Sequence, residues 1–169
     1  YLSTTYPFFY YFCKKIKKLD LRNLLDIFGK HPNIAKISES IRNNQHIQVE
    51  NLIGSAKSVL IGDIFRSYQG NILCVLDDIE SAGYFYHDLT QIFDNEQVVF
   101  LPPSYKGVLA HAKKDSANEI LRTEVLKQLN ESSSPSIVVS CPEGIFEKVI
   151  DNNSLRKETI CLEVGNTVD

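Results

Sequence analysis

The sequence predicts an α/β domain built on a mainly parallel sheet with helices on both faces. Three observations carry that expectation. Short, β-branched apolar runs alternate with segments whose apolar residues recur every three or four positions. The segments between successive strand-like runs are long enough to be helical crossovers, which parallel neighbours require. The 169 residues, 43% hydrophobic and 23% charged, suffice for one domain with a proper core and show no bias towards disorder.

In chain order, Leu21, Leu24, Leu25 and Phe28 recur at helical spacing and Gly29 supplies a stop. A second helix is expected from about Asn33, after Pro32, through Ile34, Ile37 and Ile41, ending in Asn43-Asn44-Gln45. Together these form a helical lead-in over 21–45, and the α/β domain proper is expected over 46–169. It opens with a strand at His46-Ile47-Gln48-Val49-Glu50, followed by a tight turn over Leu52 to Ala56 and a helix through Val59, Leu60, Ile64 and Phe65. Asn71 to Leu76 then reads as a strand, Asp77 to Phe93 as a helix and Gln97 to Leu101 as a strand. Ser116 to Leu129 reads as a helix with Ile120, Leu121, Val125 and Leu129 inward. Ile137 to Ser140 is the next strand, a short helix after Pro142 carries Ile145, Phe146 and Val149, and Thr159 to Val164 closes the series as a strand.

Residues 1–20 read as an extension outside this pattern. Phe8-Phe9-Tyr10-Tyr11-Phe12 precedes Lys14, Lys15, Lys17 and Lys18, the reverse of a signal peptide's order, and the apolar run is too short to span a bilayer. A nucleic-acid-binding arm centred on these lysines is one reading. The rest of the chain opposes it, with 14 basic against 20 acidic side chains, the wrong sign for phosphate-driven affinity. Cys13, Cys74, Cys141 and Cys161 form no CxxC and no disulfide-scaffold spacing, which suits buried reduced thiols in a cytoplasmic protein. His31, His46, His87 and His111 are mutually isolated and pair with no cysteine or carboxylate at a metal-ligand spacing.

The most informative motif lies between the first expected strand and its helix, where a phosphate loop would read GxxxxGK[ST]. Here the sequence is Asn51-Leu52-Ile53-Gly54-Ser55-Ala56-Lys57-Ser58. Lysine and hydroxyl remain, but both signature glycines are gone. Such a loop points successive backbone N–H groups at phosphate, and its glycines permit conformations and approaches that a Cβ obstructs. Asn51 tolerates a positive φ; Ala56 puts a methyl where the backbone should crowd the phosphate. The expectation is a degenerate P-loop half-domain of the RecA or helicase type, in which Asn51, Gly54, Ser55, Ala56, Lys57 and Ser58 bind no nucleotide. The alternative is a working ATPase or kinase in which Lys57 binds the β- and γ-phosphates and Ser58 ligates Mg²⁺. That engine also needs a second acidic motif, and none is evident. The plainer reading is that Gly54 and Ser55 shape a turn while Lys57 is solvated.

Other constellations are weaker. Asp77-Asp78-Ile79-Glu80 reads as a capping box, with Asp77 as N-cap, more readily than as an acidic metal pair. His87-Asp88 lacks the further ligands a metal phosphohydrolase needs. Cys141-Pro142-Glu143 sits where a nucleophile could, but no histidine is an evident base, so a buried thiol is expected.

Taken together, several of these residues resemble a family: the N-terminal module of the bacterial transcription-repair coupling factor (Mfd), itself similar to the first domain of the excision-repair protein UvrB. The anchors are Gly54-Ser55-Ala56-Lys57; Asp77, Ala82, Asp88 and Leu89; Val99-Phe100-Leu101-Pro102-Pro103; Glu119, Leu121, Arg122, Leu126 and Leu129; Ile137-Val138-Val139-Ser140; and Leu162-Glu163-Val164-Gly165-Asn166-Thr167-Val168-Asp169. Their order and spacing, over most of Leu21 to Asp169, carry the resemblance. The lost glycines and the short stretch Ser104 to Asp115 fit the coupling factor better than UvrB, which has an intact loop and a long aromatic hairpin there; here only Tyr105 is aromatic.

The resemblance implies a large cytoplasmic protein that displaces stalled RNA polymerase with an ATP-driven motor moving on double-stranded DNA, and that recruits UvrA. ATP and Mg would belong to that motor, in a later part of the parent protein. The UvrA surface would lie on the domain after Asp169, and polymerase and DNA would meet later domains. For the present segment the resemblance implies a scaffold with no catalytic residue, no metal, no cofactor and no membrane contact.

Overall fold

The computed structural model of the chain describes residues 21–93, 97–106, 113–149, 151 and 154. It divides into two compact units, with the boundary between Tyr68 and Gln69.

The first unit is helical. Helix α1 spans Leu21–Gly29, α2 Pro32–Arg42 and α3 Ala56–Ser67. Pro32 suits the first turn of α2, where its missing N–H would have had no helical partner, and the His31 side chain accepts from the Asn33 N–H to cap that turn. In α3 the run Ser58 to Phe65 is buried except at the half-buried Ile61, with the polar Ser58 and Asp63 buried among apolar residues, so this helix is enclosed around most of its circumference. Leu25 of α1 and Ile34 of α2 are buried in the same unit. Arg66 ties α3 to α1 through Asp26 at 2.6 Å and also lies 3.5 Å from the buried Asp63. Gly29 makes room for that carboxylate: a Cβ there would sit 2.6 Å from Asp63 Oδ1.

The strand expected at His46–Glu50 is not formed. These five residues carry no regular structure, are exposed throughout, and belong to neither sheet among the described residues. The alternation of Ile47 and Val49 with polar residues is a genuine strand pattern, but a strand exists only when a neighbour pairs with its backbone.

The second unit contains the sheet. Strands β1 (Ile72–Val75), β2 (Val98–Leu101) and β5 (Ile137–Ser140) form a parallel sheet in the order β1-β5-β2, with Cys74 opposite Val139 and Val139 opposite Phe100. Helix α4 (Ile79–Thr90) follows β1 and α5 (Ser116–Glu131) precedes β5. Alternation along β2 assigns their faces. Phe100 stacks on Tyr86 of α4 with ring centroids 5.4 Å apart, whereas Val99 clusters with Val125 of α5 and Val138 of β5. The unit is therefore α/β with a helix on each face, as the sequence predicts, on a sheet of three described strands. The strand expected at Thr159–Val164 and the extension over 1–20 lie outside the described residues.

Three further details depart from the sequence reading. Helix α4 begins one residue late, so Asp78, not Asp77, is the N-cap and accepts from the Ser81 N–H at 2.7 Å. Glu80 consequently falls short of the capping-box position. Within Ser104 to Asp115, β3 (Tyr105–Lys106) and β4 (Lys113–Lys114) pair as an antiparallel ribbon that the sequence reading did not anticipate. Helix α5 is rotated from the expected phase: Val125 is buried and Leu129 partly so, but Ile120 is 59% and Leu121 41% exposed, while Arg122 is buried. Hydrogen bonds from Asn118 and Arg122 to the carbonyls of Pro103 and Pro102 turn that polar edge of the helix towards the end of β2.

Candidate functional site

The loop over 51–58 turns through two left-handed residues, and most of it, Lys57 included, is exposed. Asn51 and Gly54 both adopt the left-handed region, at φ 63° and 57°, so the asparagine does take the conformation that a glycine would take there. At Gly54 a Cβ would meet nothing within 4 Å, so glycine is needed for its φ and not for space. The Ala56 N–H is turned back onto the Ile53 carbonyl at 3.3 Å, and Ser55, the N-cap of α3, makes no side-chain capping bond. Lys57 is exposed, whereas the next residue, Ser58, is buried at 1% exposure in the helical unit. The two polar side chains that a nucleotide would require together thus lie in different environments. The loop is preceded by irregular, exposed chain where a strand would anchor it.

A second cluster lies at the carboxyl ends of β2 and β5, where open α/β sheets commonly place their ligands. Arg122 of α5 donates from Nη1 to the carbonyls of Pro102 at 2.6 Å and Gly144 at 2.8 Å, and its Nε lies 3.3 Å from Glu147 Oε2. The other carboxylate oxygen of Glu147 accepts from the Ser104 N–H at 2.8 Å. Ser140 Oγ bonds the Leu101 carbonyl at 2.6 Å. The short helix α6 (Pro142–Phe146) approaches so closely that a Cβ on Gly144 would lie 2.6 Å from Ser140 Oγ and 2.8 Å from the Leu101 oxygen. Arg122 Nη2 is buried without a hydrogen-bond partner among the described residues. Its guanidinium is committed through Nη1 and Nε to two carbonyls and one carboxylate inside the protein, so it braces the ends of two strands against α6.

Cys141, immediately after β5, is 1% exposed, and burial is the main cause holding its thiol above the usual range. Cys74 of β1 is buried as well, its thiol pushed up to about 12 by burial. Both are free thiols held protonated, as expected of the two cysteines that fall among the described residues. Asp78 is held below the usual carboxylate range chiefly by the Ser81 backbone N–H it caps, and His87 lies exposed on α4. Among the described residues no group of three or more His, Cys, Asp or Glu side chains could hold a metal ion, and no helix is long and apolar enough to cross a membrane.

The sequence singled out the loop but missed the brace. Arg122 entered the sequence reading only as one anchor of the family resemblance, on a helix whose inward positions were expected to be Ile120, Leu121, Val125 and Leu129, and Glu147 lies 25 positions away without a pattern linking the two. No known family profile matches the chain, and no curated protein matches it at a significant level.

Proposed function

We propose that this segment is a non-catalytic scaffold, a degenerate P-loop half-domain of the RecA or helicase type, at the N-terminal side of a transcription-repair coupling factor. The parent protein would remove stalled RNA polymerase from DNA by ATP-driven translocation and recruit UvrA in the cytoplasm. The observation that supports the non-catalytic reading most directly is the separation of Lys57 from Ser58. A phosphate loop needs both at one mouth, lysine on phosphate and hydroxyl on Mg²⁺, yet the lysine is exposed and the hydroxyl buried at 1% exposure. The methyl of Ala56 and the unpaired chain before Asn51 act in the same direction. The short β3–β4 ribbon, between β2 and α5, is compatible with a coupling-factor module, in which the resemblance places only a short stretch where UvrB carries its hairpin.

Calorimetry of the chain with Mg-ATP is expected to give no binding heat; micromolar affinity would instead establish the ATPase reading built on Lys57 and Ser58. A second measurement addresses the partner. A chain extended through the domain after Asp169 is expected to capture UvrA, and Lys57→Ala in that chain to leave capture unchanged. Equal capture by the present segment alone would overturn the scaffold assignment.

A further inference from the structure

The Arg122 cluster leaves one donor unused. A guanidinium presents Nε and Nη2 along one edge, which a carboxylate ordinarily takes with both of its oxygens. Here Glu147 meets that edge with a single oxygen, Oε2, at 3.3 Å from Nε, while Nη2 is buried with no hydrogen-bond partner among the described residues. The other oxygen is turned away. Glu147 Oε1 accepts from the Ser104 N–H at 2.8 Å, and Ser104 immediately precedes β3. One carboxylate is thus divided between the buried cation and the foot of the β3–β4 ribbon. An unpartnered buried N–H is costly, and the acceptor that would satisfy it is already bound to the neighbouring nitrogen of the same group.

We propose that Glu147 is a two-position latch on the β3–β4 ribbon. In the observed position it holds Ser104; in the other, Oε1 swings onto Nη2, completes the two-bond pair with Arg122 and releases the foot of the ribbon. The terminal torsion of a glutamate is soft, and the swing exchanges one N–H···O bond for another, so the buried charge stays paired throughout. What opposes it is the Ser104 N–H. Ser104 is buried, so its N–H must reach water with the ribbon before the second position is favourable. The two feet of the ribbon are joined, the Asp115 N–H donating to the Ser104 carbonyl at 2.8 Å, and Asp115 is the N-cap of α5, so the ribbon pivots on that helix end once Glu147 lets go. Pro103 remains tied to Asn118, which confines the motion to Ser104 onward. A ligand of the ribbon therefore need not unpair a buried charge to move it. The inference rests on Arg122, Glu147 and Ser104 and stands whether or not the coupling-factor reading holds.

The test is nitrogen relaxation dispersion on the whole chain, read at the backbone amides of Ser104, Tyr105 and Lys106 and at Arg122 Nε. Both sets of probes are expected to report one exchange process on the microsecond-to-millisecond timescale, with the amides of β5 quiet. Glu147→Gln keeps one acceptor oxygen, enough for Ser104 but not for Nη2 as well, so dispersion at Ser104 should fall about fivefold, the population change that one hydrogen bond carries. A glutamate that merely props the ribbon gives the opposite sign, because the weaker amide acceptor loosens Ser104 and raises the dispersion. Ser104→Pro is the complementary variant: without the competing N–H, Oε1 is expected on Nη2, and rotation of the Arg122 guanidinium should slow about tenfold, as one charge-assisted bond would impose. Flat dispersion at Ser104 in the parent chain, undiminished dispersion in Glu147→Gln, or guanidinium rotation unchanged by Ser104→Pro would each overturn the proposal, the last in favour of a buried water on Nη2.

Discussion

The loop over 51–58 and the cluster around Arg122 both stand where a helix meets the chain before it, and both bring polar groups to that junction, but their surroundings are opposite. At the loop the backbone turns through two left-handed residues in solvent, a Cβ at Gly54 would touch nothing, and Lys57 is exposed. Around Arg122 the chain is so crowded that a single added carbon at Gly144 would collide with backbone, and the guanidinium is fully engaged with internal acceptors except at one nitrogen. The first place is an open, exposed turn. The second has the cation and the walls but has closed on itself. The loop that the sequence singled out is thus an exposed turn, while the buried polar cluster around Arg122 lies where the sequence reading expected no polar contact.

The sharpest way to break this contrast is to remove the buried cation. Arg122→Met keeps the aliphatic stem but leaves the carbonyls of Pro102 and Gly144 without their donor and Glu147 without its counter-charge. Unpairing a buried charge typically costs about 3–5 kcal/mol, so urea denaturation is expected to show a loss of that order. Glu147→Gln retains an acceptor for the Ser104 N–H and is expected to cost less, about 1–2 kcal/mol. If Arg122→Met were as stable as the parent chain, the brace would be a bystander.

That brace also shows where sequence reasoning stops. The helices and three parallel strands were legible because their apolar periods follow from local geometry, and the lengths of α1, α2 and α5 come close to the expected spans. The phase of α5 was not legible. Ile120 and Leu121 are the more hydrophobic residues, but Arg122 is the one turned inward, since two carbonyls released at the ends of β2 and α6 require a donor. His46–Glu50 failed in the complementary way: its local pattern is right, and pairing, which no local pattern contains, is missing. For the loop, the substitution at Asn51 and its tolerance of positive φ were legible from the residues, but the burial of Ser58 depends on how α3 packs.

Gly144→Ala tests the crowding directly. The new methyl would press on the Leu101 carbonyl and on Ser140 Oγ, disrupting the hydrogen bond between them, and backbone on one side leaves little room to relax. Overpacking of this kind costs about 1–3 kcal/mol. A loss below about 0.5 kcal/mol in the same denaturation assay would mean that α6 lifts away easily and that the strand ends are less tightly closed than their distances indicate.

The burial of Cys74 has a pH signature. Its thiol is pushed up to about 12 from an ordinary value of 9.0 by burial, so the folded chain keeps the proton over a range in which the unfolded chain loses it. The resulting stability is complete below pH 9.0 and is lost as pH rises from there towards about 12, on the order of 1 kcal/mol for each pH unit inside that window. Lysines and tyrosines titrate there too, so the measurement is a difference: urea midpoints of the parent chain should fall faster with alkaline pH than those of Cys74→Ala. Parallel slopes would show that β1 admits water to its buried face.

The smallest effects are expected at the loop, and their smallness is the other half of the comparison. Gly54→Ala adds a methyl in open space but asks an alanine to hold φ 57°, so strain alone should cost about 1 kcal/mol. Lys57→Ala should change stability by no more than about 0.5 kcal/mol, because an exposed side chain in the first turn of α3 loses little but solvent. It also removes a positive charge from a helix N-terminus, where a cation opposes the dipole, so the sign is expected to be slightly stabilising. The pair of substitutions separates two accounts of why the motif remains. If Lys57→Ala is neutral or stabilising in water and equally so with millimolar phosphate present, the lysine serves no anion, and the loop persists as a way for irregular chain to enter α3. If phosphate stabilises the parent chain but not Lys57→Ala, the lysine still meets an anion, and the loop has kept a wall that its geometry does not reveal.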